Sequence, residues 1–212
     1  MGDKKELESR SYLCEVRAEE LDGMAIITGR PIVFNQKTDL GLYDEVIEYG
    51  ALSNTDLTDV RFLVNHDLNG IPLARSRRNN GNSTMTLSVD ERGLFIRVVL
   101  DIENNAEARA LYSAVKRGDI TGMSFMFAVR EELWEDLETD HPTRRITDIA
   151  TVVEVSAVTF PAYDATEINA RSEAALDSAR SAMEIARQQR AEALDSDLEL
   201  ARARYLYQSN NF

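Results

Sequence analysis

Three side chains of this sequence could together perform nucleophilic hydrolysis: His66, Ser124 and Glu154. A serine hydroxyl becomes nucleophilic beside an imidazole base, and a carboxylate can hold that base in the required tautomer. The protein has two histidines; His66 follows a short apolar run, whereas His141 lies in a charged stretch that predicts a solvated side chain. Spacing alone does not bring the three together, and each is also compatible with a structural role.

Ser124 and Glu154 each lie in a stretch with the two-residue alternation of a β-strand. The alternation puts Met123 and Phe125 on one face and Ser124 on the other. Gly122 lets another backbone approach closely, as a substrate strand or an oxyanion-binding turn requires. Glu154 interrupts an apolar run, where a carboxylate needs a partner. An imidazole is one such partner, and an arginine or solvent is the alternative.

Other catalytic chemistries lack their sequence signatures here. There is no Walker motif, no HExxH pair, no metal-spaced set of His and Cys, and no GxSxG nucleophile elbow, so we expect no metal and no cofactor. The single cysteine, Cys14, has no His or Asn near it in the sequence. We therefore predict that Cys14 is a small apolar residue of a strand rather than a catalytic thiol.

The charge of the chain limits its partners. Lys and Arg number 24 against 37 Asp and Glu, a formal net charge of −13, which argues against nucleic-acid binding. No apolar run approaches the ~20 residues of a membrane span, and the first residues lack the apolar core of a signal peptide. We expect no nucleic-acid partner, no membrane partner and a location in the cytoplasm where the chain is made.

The elements that must position these residues are mainly strands. Leu21–Gly23 predicts a turn between two of them, and residues 105–116 predict a helix that Gly118 ends. Predicted strands cover YLCEVRAEE, GMAIITGRPIVF, YDEVIEY, RFLV, TMTLSVD, GLFIRVVLD, the stretch around Ser124, and ITDIATVVEVSAVTF.

The composition changes near residue 172. From there to about residue 207 the chain is rich in Ala, Glu, Arg, Leu and Gln and has no Gly or Pro, which favours one long helix. The predicted organisation is a body over residues 1–171 and a helical tail over residues 172–212.

Several short blocks of the body follow one another in a characteristic order. They are Gly29–Phe34, Glu45–Leu52, Val64–Asp67, Gly93–Leu94, Arg117–Gly118, Gly122–Phe127 and Glu154–Tyr163. In this order, over about residues 10–170, the sequence resembles the prohead protease family of tailed phages, relatives of the herpesvirus assemblins.

The resemblance implies a serine endopeptidase with Ser124 as nucleophile, His66 as general base and Glu154 as the residue that orients His66. Assemblins use a second histidine as the third member, and this chain has none suitably placed, so Asp148 and Asp67 remain alternatives to Glu154. The implied fold is α+β and mainly β, a closed β-barrel with surrounding helices, to which the long C-terminal helix is added.

The resemblance also implies substrates and partners. These are the scaffolding segment of the major capsid protein, other prohead proteins and the protease itself, inside the prohead that assembles in the host cytoplasm. A homodimer or higher oligomer is expected by analogy with the assemblins. The tail is then a targeting, assembly or removable segment.

Two alternatives stay open: a catalytically inactive scaffolding or portal-associated protein on the same fold, and a small-molecule esterase, against which the missing nucleophile elbow counts.

Overall fold

The protein is described by a computed structural model over residues 7–14, 16–160, 173–185 and 187–188. Residue contacts group the chain into two units, Met1–Arg171 and Ser172–Phe212. The elements of the first unit are β1 (Glu8–Leu13), β2 (Arg17–Leu21), β3 (Met24–Val33), β4 (Lys37–Asp39), β5 (Asp44–Ile47), β6 (Val60–Val64), β7 (Ala74–Ser76), β8 (Met85–Asp90), β9 (Gly93–Leu100), α1 (Ala106–Arg117), β10 (Gly122–Glu135) and β11 (Thr143–Val158).

The described strands form two sheets, and the larger one carries the candidate site. Its order is β1-β10-β11-β5-β4, with β6 paired to β11 and β7 paired to β6. The second sheet has the order β2-β3-β9-β8. Strand β11 is central because it is antiparallel to β10 along its length, parallel to β5 at its start and parallel to β6 at its end.

Several predicted elements are confirmed. The turn at Asp22 and Gly23 joins β2 to β3, with φ angles of 54° and 74°. These positive values suit a two-residue hairpin, which Asp-Gly favours. Helix α1 begins at an N-cap, Asn105, whose side chain accepts from two backbone N–H groups, and it ends at Gly118, which has a φ of 80°. The apolar face of α1 is buried, as its spacing predicted.

The predicted closed β-barrel is not found in the described residues. The chain leaves the larger sheet at the end of β1 and enters the smaller sheet at Arg17, so the ladder of hydrogen bonds does not continue across that corner. At another corner the N–H of Thr84 donates to the Arg75 carbonyl at 3.0 Å, which links the two sheets without merging them. The fold is therefore mainly β, with two sheets in place of one closed barrel.

Helices are few in the described residues. Within residues 7–14 and 16–160, α1 is the single α-helix. Residues 173–185 and 187–188 are helical, and the rest of the long helix predicted up to about residue 207 lies outside the described residues. No helix in the described part of the chain is long and apolar enough to cross a bilayer.

The nucleophile candidate lies on a strand whose other face is firmly buried. Met123, Phe125 and Phe127 of β10 are fully buried in the hydrophobic core. Complete burial of a side chain of this size stabilises the fold by roughly 1.5–3 kcal/mol each. Because side chains alternate along a strand, this face fixes Ser124 on the opposite side of the sheet.

A buried cluster of ion pairs holds β1 in the larger sheet. Arg10 makes a two-bond contact with Glu45, at 2.6 and 2.7 Å, and also contacts Glu8 at 2.7 Å. Arg144 bonds both oxygens of Glu8, at 2.7 and 2.8 Å, and reaches Glu45 at 3.1 Å. Each guanidinium is thus matched by carboxylates, which compensates the cost of removing these charges from water. The cluster secures β1 to β5 and β11, while β1 pairs with β10.

The charges of this cluster perturb its carboxylates. Burial alone would raise the pKa of Glu8, but the hydrogen bond and charge of Arg144 and the charge of Arg10 outweigh it and hold that pKa below its ordinary value. A carboxyl group whose pKa is lower in the folded than in the unfolded protein stabilises the fold above the unfolded pKa. That contribution is lost as the pH falls through the folded pKa.

We expect Glu8→Gln to lower the free energy of unfolding at neutral pH and to lower it less in acid. The reason is that the unfolded wild-type chain takes up a proton on Glu8 below the usual glutamate pKa of about 4.3, so the stability gained from the charged carboxylate declines as the pH falls toward its lower folded pKa. Urea unfolding of both proteins at pH 7 and at about pH 3 measures the difference. The exposed Glu20→Gln is the control. An equal penalty for Glu8→Gln at both pH values would contradict the expectation.

Candidate active site

The backbone at the end of β6 turns His66 toward the larger sheet. Asn65 and His66 both have left-handed φ angles, 50° and 57°. Such a conformation costs non-glycine residues roughly 1–2 kcal/mol each, so surrounding contacts must hold it. The Asn65 N–H donates to the Ala157 carbonyl at 3.0 Å, and the His66 N–H donates to Ser156 Oγ at 3.1 Å.

The Asn65 side chain fastens the same turn to the end of β11. Its Oδ1 accepts from the N–H of Thr159 at 2.9 Å, and its Nδ2 donates to Thr159 Oγ1 at 3.1 Å. Both hydrogen bonds span 94 positions of sequence. The imidazole is thus carried by a turn that is hydrogen-bonded to β11 at Asn65 and at His66 itself, and to Thr159 just beyond that strand.

The register of three strands brings the candidate residues to one face of the sheet. Ser124 on β10 lies opposite Ser156 on β11, and Met126 lies opposite Glu154. Directly opposite residues of an antiparallel pair share a face, so Ser124 and Glu154 point to the same side. Strand β6 runs parallel to the end of β11 and delivers His66 to that side.

The three side chains form a continuous line of hydrogen bonds. Ser124 Oγ lies 2.5 Å from His66 Nε2, and His66 Nδ1 lies 2.6 Å from Glu154 Oε1. Glu154 is 1% exposed and Ser124 is 0% exposed, so water does not compete with these contacts. An ionised carboxylate only accepts, so Nδ1 carries the hydrogen of the neutral imidazole and Nε2 is left to accept from Ser124.

The hydroxyl of Ser124 has further neighbours on β1. Ser11 Oγ donates to Ser124 Oγ at 2.9 Å, and the Arg10 carbonyl lies 2.8 Å from Ser124 Oγ. Ser124 has one hydroxyl hydrogen, so Arg10 and His66 are alternative acceptors for it. The full burial of Ser124 also means that a neighbouring segment must move before an acyl carbon can reach Oγ.

Sequence reasoning nominated three residues that the structure brings together and two that it places elsewhere. Asp148, one alternative to Glu154, pairs with Arg130 at 2.7 Å. Asp67, the other, accepts from the N–H of Asn69 within its own turn. Neither has a hydrogen bond to His66 among the described contacts.

Ser11, Asn65 and Ser156 contact the site and were not singled out from the sequence. Ser156 could have been found, because it stands two residues after Glu154 and a strand places such residues on the same face. Ser11 gave no such signal, since its contact with Ser124 depends on the pairing of β1 with β10.

Two pockets flank the turn that carries His66. The smaller one, of about 240 Å³, is lined by Asn65, His66, Val158, Thr159 and Phe160. The larger one, of about 580 Å³, lies between the end of β6 and α1, where its lining includes Leu63, Ile71, Leu111 and Ile120. Both are open spaces beside the hydrogen-bonded line, and the larger is mainly apolar.

The remaining reactive groups lie outside this line. His141, predicted to be solvated, is 41% exposed at its side chain and its Nε2 is 3.2 Å from Asp44 Oδ1. With Asp39 these residues are close enough to hold a cation, although exposed acidic groups commonly group in this way without one. Cys14 packs partly buried against the core, and burial raises the pKa of its thiol to about 11.

We expect the Cys14 thiol to react slowly with iodoacetamide at neutral pH, because a thiol with this pKa is almost entirely protonated there. The rate of alkylation, followed by mass spectrometry, should rise steeply as the pH approaches 11. We expect Cys14→Ala to keep any hydrolytic activity of the protein. Rapid alkylation at neutral pH together with loss of activity would point instead to a thiol nucleophile.

Comparison with known proteins gives the chain its family. Residues 13–180 match the caudovirus prohead serine protease family. A solved structure described as that of the bacteriophage T4 capsid assembly protease, gp21, aligns over 74% of this chain and 99% of its own, with 11% identity and a TM-score of 0.43. Curated protein sequences give no match. Since the matched residues make up most of the 212, the chain belongs to the caudovirus prohead serine protease family.

Proposed function

We propose that this chain is a serine endopeptidase of capsid maturation, with Ser124 as nucleophile, His66 as general base and Glu154 as the residue that orients His66. The observation that carries the proposal is the unbroken hydrogen-bonded line from Ser124 Oγ through both ring nitrogens of His66 to Glu154. Membership of the prohead serine protease family supports the reaction type.

Acylation begins when His66 Nε2 takes the hydroxyl proton of Ser124 while Oγ forms a bond to the peptide carbonyl carbon. The imidazolium that results carries a proton on each nitrogen and is stabilised by the negative charge of Glu154, which stays ionised. His66 then passes its Nε2 proton to the leaving amine as the C–N bond breaks. The products of this step are a free amine and an ester on Ser124.

Deacylation repeats the same transfers with water in place of Ser124. His66 Nε2 accepts a proton from the water as its oxygen bonds to the ester carbon. The bond from that carbon to Oγ then breaks, and the proton on Nε2 returns to Ser124. The enzyme is regenerated and the second product is a carboxylic acid.

The proposed substrates are the scaffolding segment of the major capsid protein, other prohead proteins and the chain itself, within an assembling prohead. The family assignment and the capsid assembly role named for the T4 structure suggest this setting. We further propose that residues 172–212 are a separate tail used for targeting, assembly or removal, and that the protein acts as a homo-oligomer. A tail-deleted variant that still enters proheads and remains active would argue against a targeting role.

A non-catalytic assembly protein on the same fold is the second candidate. The observation that favours it is the full burial of Ser124, whose hydroxyl also contacts β1. A protease with this structure requires a local opening before catalysis, whereas an assembly protein requires none. The two candidates therefore differ in whether cleavage occurs and in whether it depends on Ser124.

We expect the purified protein to cleave its own phage's major capsid protein, and we expect Ser124→Ala to reduce the rate by roughly 10³-fold or more. Loss of the nucleophile leaves no group to form the ester. Fragments are identified by mass spectrometry. Ser88→Ala, at an exposed serine on β8, is the matched control and should cleave like the wild type.

Two results would count against the proposal. Equal cleavage by the wild type and Ser124→Ala would reject Ser124 as nucleophile. Absence of cleavage by the wild type, both in solution and within assembled proheads, would favour the non-catalytic candidate.

A further inference from the structure

The hydroxyl of Ser156 touches two members of the candidate triad at once. Ser156 Oγ donates to Glu154 Oε2 at 2.6 Å, and it accepts from the backbone N–H of His66 at 3.1 Å. The residue is 0% exposed, so water does not replace either contact. Ser156 therefore connects the carboxylate to the backbone of the residue that the carboxylate orients.

The direction of these hydrogen bonds is fixed by the groups involved. A backbone N–H can only donate and an ionised carboxylate can only accept, so the single hydroxyl hydrogen of Ser156 must point at Glu154. A closed ring results: the His66 N–H to Ser156, Ser156 to Glu154 Oε2, and Glu154 Oε1 to His66 Nδ1. Every polar atom in the ring has a partner.

One consequence is a fixed orientation of the carboxylate. Its two oxygens have different partners, Ser156 on Oε2 and His66 on Oε1. Rotation of the carboxylate would break both charge-assisted hydrogen bonds, each of which shifts an equilibrium by roughly 10- to 100-fold. Oε1 is thereby kept in line with Nδ1, and Nε2 is kept facing Ser124.

A second consequence concerns the backbone of His66. Its left-handed φ of 57° is unfavourable for a residue with a side chain, and the acceptor that holds its N–H is Ser156. Without that acceptor, the His66 N–H would lose its partner and the turn could relax toward a commoner conformation. The imidazole would then leave the position from which it reaches Ser124.

We propose that Ser156 is a positioning residue of this protease site, fixing the Glu154 carboxylate and the His66 turn through one hydroxyl. The inference rests on the proposed function. Ser156 acts through its neighbours and does not touch the reacting atoms.

The test compares three substitutions of Ser156 by the kcat and KM for cleavage of the major capsid protein. Ser156→Ala removes the hydroxyl, Ser156→Cys keeps nearly the same volume with a weak donor, and Ser156→Thr keeps the hydroxyl. The matched control is Ser76→Ala, since Ser76 is also 0% exposed and its hydroxyl bonds to Asn79. Thermal unfolding of each variant reports its stability.

We expect Ser156→Ala and Ser156→Cys to lower kcat by roughly 10- to 100-fold with little change in KM. Ser156→Thr should restore most of kcat. Ser76→Ala should lose stability but keep the kcat of the wild type.

A merely structural role would lower the unfolding temperature without lowering kcat at a temperature at which the variant stays folded. If Ser156→Ala, or Ser156→Cys where Ala does not fold, shows the wild-type kcat, the positioning role is overturned and the triad proposal stands. If the wild type gives no cleavage that depends on Ser124, the proposed function is overturned and this inference falls with it.

Discussion

A buried carboxylate is the constraint on which the rest of this site depends. Glu154 is almost fully removed from water, and an unpaired charge in that position would cost several kcal/mol. Its two oxygens must therefore find donors, and they find His66 and Ser156. This need fixes the tautomer of the imidazole, and the tautomer decides that the nitrogen facing Ser124 is an acceptor. The hydrogen bond from His66 Nδ1 to the Glu154 carboxylate thus leaves a basic imidazole nitrogen facing the hydroxyl of Ser124.

Strand register supplies the geometry that this chemistry requires. Strand β11 pairs with β10 and with the end of β6, so one strand sets the positions of Ser124 and His66 relative to Glu154. A slip of one residue in either pairing would move a whole set of side chains to the other face. The buried face of β10 opposes such a slip, because it would expose Phe125 and Phe127. The buried side chains on one face of β10 therefore help to fix the position of Ser124 on the other face.

Local signals in the sequence were sufficient for parts of the fold. The Asp22–Gly23 turn, strands β8 and β9 and the end of α1 at Gly118 are encoded within a few residues, and all were predicted. Alternation also placed Ser124 on the face of its strand opposite Met123 and Phe125. The buried cluster of Arg10, Glu45 and Arg144 was not predicted, because the hydrogen bonds from Arg10 and Arg144 to Glu45 span 35 and 99 residues. The separation into two sheets was not predicted for the same reason. It depends on the pairing of β1 with β10 and of β2 with β3.

The central claim is that Ser124 is a nucleophile activated by His66. The measurement that tests it most directly is mapping, by peptide mass spectrometry, of the residue that a fluorophosphonate probe modifies in the wild-type protein and in His66→Gln. The account predicts one adduct on Ser124 of the wild type and its near absence in His66→Gln. An adduct on a different serine, or modification of Ser124 at the same rate without the imidazole, would contradict it.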